Sequence, residues 1–200
     1  KSQVGGIIGK NDNDKVLQGT EENRLIVTND GTVDAEDGGA AGIFYENHGE
    51  IKYADISNSG VVNGGDKEGG TGGLFGINTG NITESTLTNS GTVIGGGIVG
   101  GLIGKNSGDV SNSSLTNTGS VIGTSNVGGL IGTNTGKIEG GRDANNSYYK
   151  YQIYNNGVIN VGTWDDTNNN GKVDAGEITG LQQGETSQNI GGLIGNNAKE

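Results

Sequence analysis

The chain has 200 residues, 43 of them Gly and none Pro, Cys or Met, and its 23 acidic against 12 basic residues give a net charge of −11. That balance opposes nucleic acid and anionic membrane as partners, and no apolar stretch is long enough to cross a bilayer. Only 29% of residues are apolar, a level at which a chain without register would stay unfolded.

Register is present from the start. The chain opens on Val4-Gly5-Gly6-Ile7-Ile8-Gly9, and related segments return at Gly42-Ile43-Phe44, Gly72-Gly73-Leu74-Phe75-Gly76, Gly100-Gly101-Leu102-Ile103-Gly104, Gly128-Gly129-Leu130-Ile131-Gly132 and Gly191-Gly192-Leu193-Ile194-Gly195. The anchors Ile7, Ile43, Leu74, Leu102, Leu130 and Leu193 lie 36, 31, 28, 28 and 63 residues apart. An Asn follows each of them four positions later, as Asn11, Asn47, Asn78, Asn106, Asn134 and Asn197. A fixed period of a few tens of residues marks a solenoid. The back half of each repeat carries a second Asn, a Gly two residues on and a Val or Ile two beyond that. These are Asn29, Gly31 and Val33; Asn58, Gly60 and Val62; Asn89, Gly91 and Val93; Asn117, Gly119 and Val121; Asn155, Gly157 and Ile159. From Leu115 to Val121 the pattern alternates with period 2, which is the signature of a strand.

The predicted fold is all-β: a parallel β-helix (β-solenoid) of roughly five coils, right-handed by the crossover rule, forming one domain over 1–200. Each coil is expected to hold two or three short strands joined at Gly-rich corners, giving a rod about 25–30 Å long. Inward Asn at matching positions of successive coils should stack into amide ladders. Ile8, Phe44, Phe75, Ile103, Ile131 and Ile194 form a second apolar column beside the anchors. Period 2 places the two columns on opposite faces, so the second is either folded inward by a bend at the Gly residues or exposed as a stripe that invites a partner.

The longest gap between anchors holds an interruption, read as an excursion over 163–188. Within it, Asp166 to Glu177 fits a twelve-residue EF-hand loop: Asp166 at position 1, Asn168 at 3, Asn170 at 5, Gly171 at the turn, Lys172 offering its carbonyl at 7, Asp174 at 9 and Glu177 at 12. A hard cation needs six to eight oxygens, and this spacing supplies them, so Ca2+ is the expected cofactor. Two Asn in place of Asp lower the ligand charge and suit millimolar extracellular calcium. Gly162-Thr163-Trp164 and Gly180 make poor helices on either side, so the loop resembles the isolated calcium loops of dockerins and related secreted modules. The acidic groups Asp12/Asp14, Glu21/Glu22 and Asp34/Glu36/Asp37 lack this spacing and read as solvated turns.

The repeat resembles the GLUG-motif repeats of large bacterial surface proteins, including adhesins and regions of secreted peptidases. The resemblance covers about 4–162 and 190–197 and is sharpest over 70–138. It implies a stalk or adhesive segment and brings no catalytic residues. With a composition rich in Asn, Thr, Ser and Gly, it points to an extracellular or cell-surface location.

The leading functional reading is therefore an extracellular structural or adhesive β-solenoid stabilised by calcium, non-catalytic, with a surface glycan or host-cell ligand as partner. Its solvent face would carry Thr28, Ser57, Thr88 and Thr116 in one hydroxyl column, with Asp30, Ser59, Ser90 and Thr118 in the next; glycan binding or ice binding are the functional alternatives for these columns. Both ends of the chain fall at one phase of the repeat, which reads as a slice of a longer solenoid or as a subunit that self-associates end to end into a filament. The third reading is a glycan-binding or glycan-cleaving β-helix. Against cleavage, the single His48 and the two Arg, Arg24 and Arg142, lie far apart in the array, and no nucleophile–base pair is visible. Tyr148, Tyr149, Tyr151, Tyr154 and Trp164 either pack the insertion onto the rod or form a glycan platform.

Overall fold

Segments of two to five residues, lengthening to seven only at Val158–Trp164, are ended by Gly- or Asn-rich corners and pair in parallel from one repeat to the next. The computed structural model describes residues 3–65, 69–140, 151–164, 167, 178–180 and 189–198. The strands stack into five sheets running along the rod. The first sheet holds Val4–Gly5, Ala40–Ala41, Gly70–Gly72, Ile98–Gly100, Val127–Gly128 and Ile190–Gly191. The second holds Ile8–Asn11, Phe44–Asn47, Phe75–Asn78, Ile103–Asn106, Ile131–Asn134 and Ile194–Asn197. The third runs from Val16–Gln18 to Ile138–Glu139, the fourth from Leu25–Asn29 to Ile153–Asn155, and the fifth from Thr32–Asp34 to Val158–Trp164. Each coil thus contributes a strand to every sheet, five where the sequence reading expected two or three. Four turns follow one another in this way, and a fifth, carrying the insertions, leads into the last strands of the first and second sheets.

The two apolar columns are resolved by a bend. The N–H groups of Leu74 and Phe75 both donate to the Leu102 carbonyl, each at 2.9 Å, and those of Leu102 and Ile103 both donate to Leu130. In a straight strand, successive N–H groups point to opposite sides. Two pointing at one acceptor mean that the chain turns there, so both side chains face inward. Leu74, Phe75, Leu102 and Ile103 are all fully buried, and the Phe44 and Phe75 rings stack at 5.1 Å. No apolar stripe is left outside at these positions in the middle coils.

The Asn columns are ladders, as expected. Along the second sheet, Nδ2 of Asn11 donates to Oδ1 of Asn47 at 2.8 Å, and the series continues through Asn78, Asn106, Asn134 and Asn197 at 2.7–2.9 Å. Along the fourth sheet it runs Asn29, Asn58, Asn89, Asn117, Asn155 at 2.7–2.8 Å. The second proton of Asn47, Asn78 and Asn106 goes to the carbonyl of the Gly two residues on, so these buried amides are satisfied on both sides.

The fourth-sheet ladder also accounts for the second Gly of the GG pairs at Gly73, Gly101 and Gly129. A Cβ on Gly73 would stand 2.2 Å from the Gly101 carbonyl oxygen and 2.8 Å from Asn89 Oδ1; on Gly101 it would meet Gly129 and Asn117 in the same way. The amide ladder lies between two apolar clusters, one built on the paired columns and Ile51, Ile56, Ile82 and Leu87, the other on Val33, Val62, Val93, Val99, Val121 and Val127. The two halves of the repeat are therefore one packing unit: Asn from the back half presses on Gly from the front half.

A third ladder escaped the sequence reading. At the corner between third and fourth sheets, Tyr53, Glu84 and Asn112 take left-handed φ of 50°, 51° and 47° on successive coils. The residue after each is buried, and where it is Ser it stitches the coils: Ala54 N–H donates to Ser85 Oγ and Ser85 N–H to Ser113 Oγ, both at 3.1 Å. Arg24 crosses this corner, pairing with Asp55 at 2.8 Å and donating to the carbonyls of Ala54 and Glu84.

Candidate functional site

The strands of the second sheet put their ladder Asn inward, which leaves the residues on either side of it half-exposed or exposed on the outside in the middle coils. Before the Asn stand Lys10, Glu46, Ile77, Lys105, Thr133 and Asn196, in Cα register from coil to coil. After it stand Asp12, His48, Thr79, Ser107 and Thr135. The two columns make one strip along the rod.

At the N-terminal end of the strip, Lys10 pairs with Asp12 at 2.9 Å; this mutual hydrogen bond raises the Lys10 pKa and lowers that of Asp12. One coil on, His48 lies between two partners, Glu46 Oε2 at 3.1 Å from Nε2 and Thr79 Oγ1 at 2.7 Å from Nδ1. A carboxylate only accepts, so Nε2–H donates to Glu46, and the Thr79 hydroxyl that meets Nδ1 also donates to the Asn47 carbonyl at 3.5 Å. In the sequence His48 belongs to no visible nucleophile–base pair. In the fold it joins a hydroxyl to a carboxylate, because Thr79 occupies its own position one coil further on. Nearby Tyr45 is buried, and that burial, with the Glu46 charge adding to it, raises the pKa of its phenol.

The geometry resembles that of a hydroxyl activated by an imidazole, yet the N–H groups of Thr79 and Gly80 both donate to the Asn47 carbonyl, at 2.8 and 3.1 Å. They are not left facing the hydroxyl to hold an oxyanion.

Two coils on, the strip deepens into a groove of about 230 Å³ lined by Ile77, Lys105, Asn106, Ser107, Thr133 and Thr135. Thr133 Oγ1 is buried and has no hydrogen-bond partner. Such an atom costs free energy unless something meets it. The columns could have been aligned from the sequence by counting one residue to either side of each ladder Asn; the groove itself has no sequence signal.

The hydroxyl columns of the fourth sheet are in register as expected, Thr28, Ser57, Thr88 and Thr116, with Tyr154 on the next coil. Tyr151 donates its hydroxyl to the Glu84 carboxylate at the third–fourth sheet corner, while Tyr154 remains exposed.

All six proposed calcium ligands, Asp166, Asn168, Asn170, Lys172, Asp174 and Glu177, lie outside the described residues, as do Arg142, Tyr148 and Tyr149. The flanks of the calcium run are described. Val158–Trp164 outruns its coil and pairs antiparallel with Ile178–Gly180, matching Gly162 with Gly180, Thr163 with Thr179 and Trp164 with Ile178. This hairpin stem, absent from the sequence reading, brings the residues just outside the run to paired positions. An EF-hand loop places ligands at both its first and last positions on one ion, so it needs such convergence.

Compared with known proteins, the chain matches no family model, no curated protein and no solved structure.

Proposed function

We propose that this chain is an extracellular structural and adhesive β-solenoid, stabilised by calcium and without catalytic activity. The observation that carries this reading is the pair of unbroken amide ladders, which tie every coil to the next through bonds that are buried in the middle coils and part-buried toward the ends. Such a rod is a stiff spacer with a periodic outer face, suited to holding a ligand at a distance. The engagement of the Thr79 and Gly80 N–H groups supports the non-catalytic half. The test is retention of beads coated with the chain on glycan-bearing cell surfaces under flow: calcium-dependent retention is expected, and beads that wash off as readily as albumin-coated ones overturn the adhesive role.

For the metal, the donor set of 166–177 fits Ca2+, being all oxygen with carboxylates at positions 1, 9 and 12. Asp166, Asn168, Asn170, Asp174 and Glu177 would hold the ion with side-chain oxygens and Lys172 with its carbonyl. Bound there, calcium would lock the loop onto its hairpin stem.

The second reading, end-to-end growth of the rod, is favoured by ladder polarity. Every amide donates toward the C-terminal coil, and Ile7 and Leu193, at opposite ends of the anchor column, are 48% and 42% exposed. A stacked second copy would meet both features. Electron micrographs at high protein concentration should show rods longer than one copy; monomers throughout would exclude this reading.

A further inference from the structure

We propose that Asn156 is a site of spontaneous deamidation, and that the isoaspartate formed there loosens the coil that carries it. The inference is independent of the adhesive reading and rests on the corner between the fourth and fifth sheets.

The packing of that corner creates the labile pair. Asp30, Ser59, Ser90, Thr118 and Asn156 hold the same place on successive coils, each followed by a Gly: Gly31, Gly60, Gly91, Gly119 and Gly157. A Cβ on Gly157 would stand 2.0 Å from the Gly119 carbonyl oxygen and 2.5 Å from Asn117 Nδ2, so this Gly is required. The residue before it is exposed on all five coils, and packing leaves its identity open. On the last of them it is Asn.

Three Asn–Gly pairs occur in the chain, Asn63-Gly64, Asn156-Gly157 and Asn170-Gly171, the last outside the described residues. Gly leaves the amide nitrogen after Asn unshielded by a side chain. The two described pairs are held differently. Asn63 ends a strand flanked by Thr32–Asp34 and Thr92–Ile94, and the buried Gly64 donates its N–H to the Ile94 carbonyl at 2.9 Å. Asn156 lies between strands, just past Ile153–Asn155, which ends the fourth sheet among the described residues. The Gly157 N–H donates to the Asn155 side chain, at 3.2 Å. Local opening therefore costs less at Asn156 than at Asn63.

The reaction needs only water. The Gly157 nitrogen attacks the Asn156 side-chain carbonyl carbon and closes a succinimide ring; ammonia leaves with the proton that the nitrogen gives up. Water then opens the ring at the main-chain carbonyl to give isoaspartate, or at the side-chain carbonyl to give aspartate. In isoaspartate the main chain runs through the side-chain methylene and is one carbon longer. That carbon enters between two bonds to the preceding coil, from Asn156 N–H to the Asn117 carbonyl at 2.8 Å and from Val158 N–H to the Gly119 carbonyl at 3.2 Å. The preceding coil fixes the spacing of the two acceptors, so the extra length bulges and weakens both bonds.

The experiment incubates the folded chain and the guanidinium-unfolded chain at mildly alkaline pH. Peptide mass spectrometry then reads isoaspartate and aspartate at each Asn–Gly pair. In the folded chain Asn156 should convert roughly tenfold faster than Asn63, and in guanidinium the two should convert at similar rates. Equal rates in the folded chain would overturn the site, and a difference that persists in guanidinium would show that the fold does not set it. The consequence is read by melting, with calcium chelated throughout. Incubated wild type should melt below the fresh protein, while incubated Asn156→Ser, which carries the residue of Ser59 and Ser90 at this place, should keep its fresh curve. No loss in wild type, or the same loss in Asn156→Ser, would overturn the loosening.

Discussion

The middle coils and the fifth coil solve the same packing problem with very different lengths of chain. From Leu74 to Leu130 one turn takes 28 residues, whereas 63 residues separate Leu130 from Leu193. Yet Asn134 donates to Asn197 at 2.9 Å, against 2.8 Å for Asn106 to Asn134, and the strand pairing remains parallel and in register. The added length falls after Gly140 and past Trp164, and both ladders keep their amides through this coil. Loop length costs little because closure entropy grows only logarithmically, whereas a slip of one residue would turn an Asn and its apolar neighbours inside out. The ladders hold the register, and the insertions are free to vary around them.

The sharpest way to break this comparison uses one motif position in two places. Gly73→Ala drives a Cβ into the Gly101 carbonyl and the Asn89 amide, while the same position in the last coil, Gly192, has nothing within 4 Å. Gly73→Ala should cost more than about 3 kcal/mol, seen as a fall of roughly 10 °C in Tm. Gly192→Ala should leave the melt unchanged. Equal effects would mean that the Gly serves local backbone conformation and not the ladder beneath it.

Next in size is the ladder itself. Asn89→Ala removes the donor to Asn117 and the acceptor for Asn58, both fully buried. With two amides left unmatched in the interior, a loss of about 2–4 kcal/mol is expected in denaturant unfolding. Asn197→Ala, at the exposed end of the other ladder, should cost under about 1 kcal/mol. If the two variants unfold at the same midpoint, the ladders contribute nothing to coil-to-coil cohesion.

Much of this architecture was legible because it repeats: both ladders, the anchors and the outward hydroxyl columns follow from aligning one repeat with the next. Strand count was not legible, since pairs such as Ala40–Ala41 and Ile82–Thr83 are too short to show alternation. The bend at Leu74 and Phe75 was ambiguous because a strand period and a corner give the same two adjacent apolar letters. The Ser85–Ser113 ladder hides behind Ala54, which occupies its position one coil earlier. His48 looked isolated because its hydroxyl partner is 31 residues away in sequence and one coil away in space. The hairpin stem is hidden because its second strand, Ile178–Gly180, is only three residues long and stands beyond the calcium run in sequence.

The calcium run tests the other side of the comparison, that insertions are dispensable to the rod. Replacing 165–177 by a two-residue Asn-Gly turn between Trp164 and Ile178 should leave the chelated protein's Tm within a few degrees of wild type. Wild type should gain about 1.4 kcal/mol when calcium stands at tenfold its dissociation constant. Both the shortened chain and Glu177→Gln should lose most of that gain. A calcium shift retained in the shortened chain would place the ion elsewhere.

The smallest effect concerns Tyr45, which is buried beside the strip where later coils carry Gly76, Gly104 and Gly132. Burial raises its pKa above the ordinary 10.0, with Glu46 adding to the shift. The folded state therefore holds the phenolic proton more tightly than the unfolded chain does. The stability this contributes is complete below pH 10 and is lost as pH rises through the folded value. Lys10 and Lys137, each held above its ordinary pKa by a neighbouring carboxylate, lose their contribution over the same alkaline window, but both pairs are fully exposed and screened. The difference between wild type and Tyr45→Phe isolates the phenol. Tyr45→Phe should match wild type near neutrality and fall less steeply above pH 10 in urea unfolding. Parallel curves to pH 11 would show that the Tyr45 hydroxyl reaches solvent in the folded rod, and that this coil packs no more tightly than the Gly-bearing coils beside it.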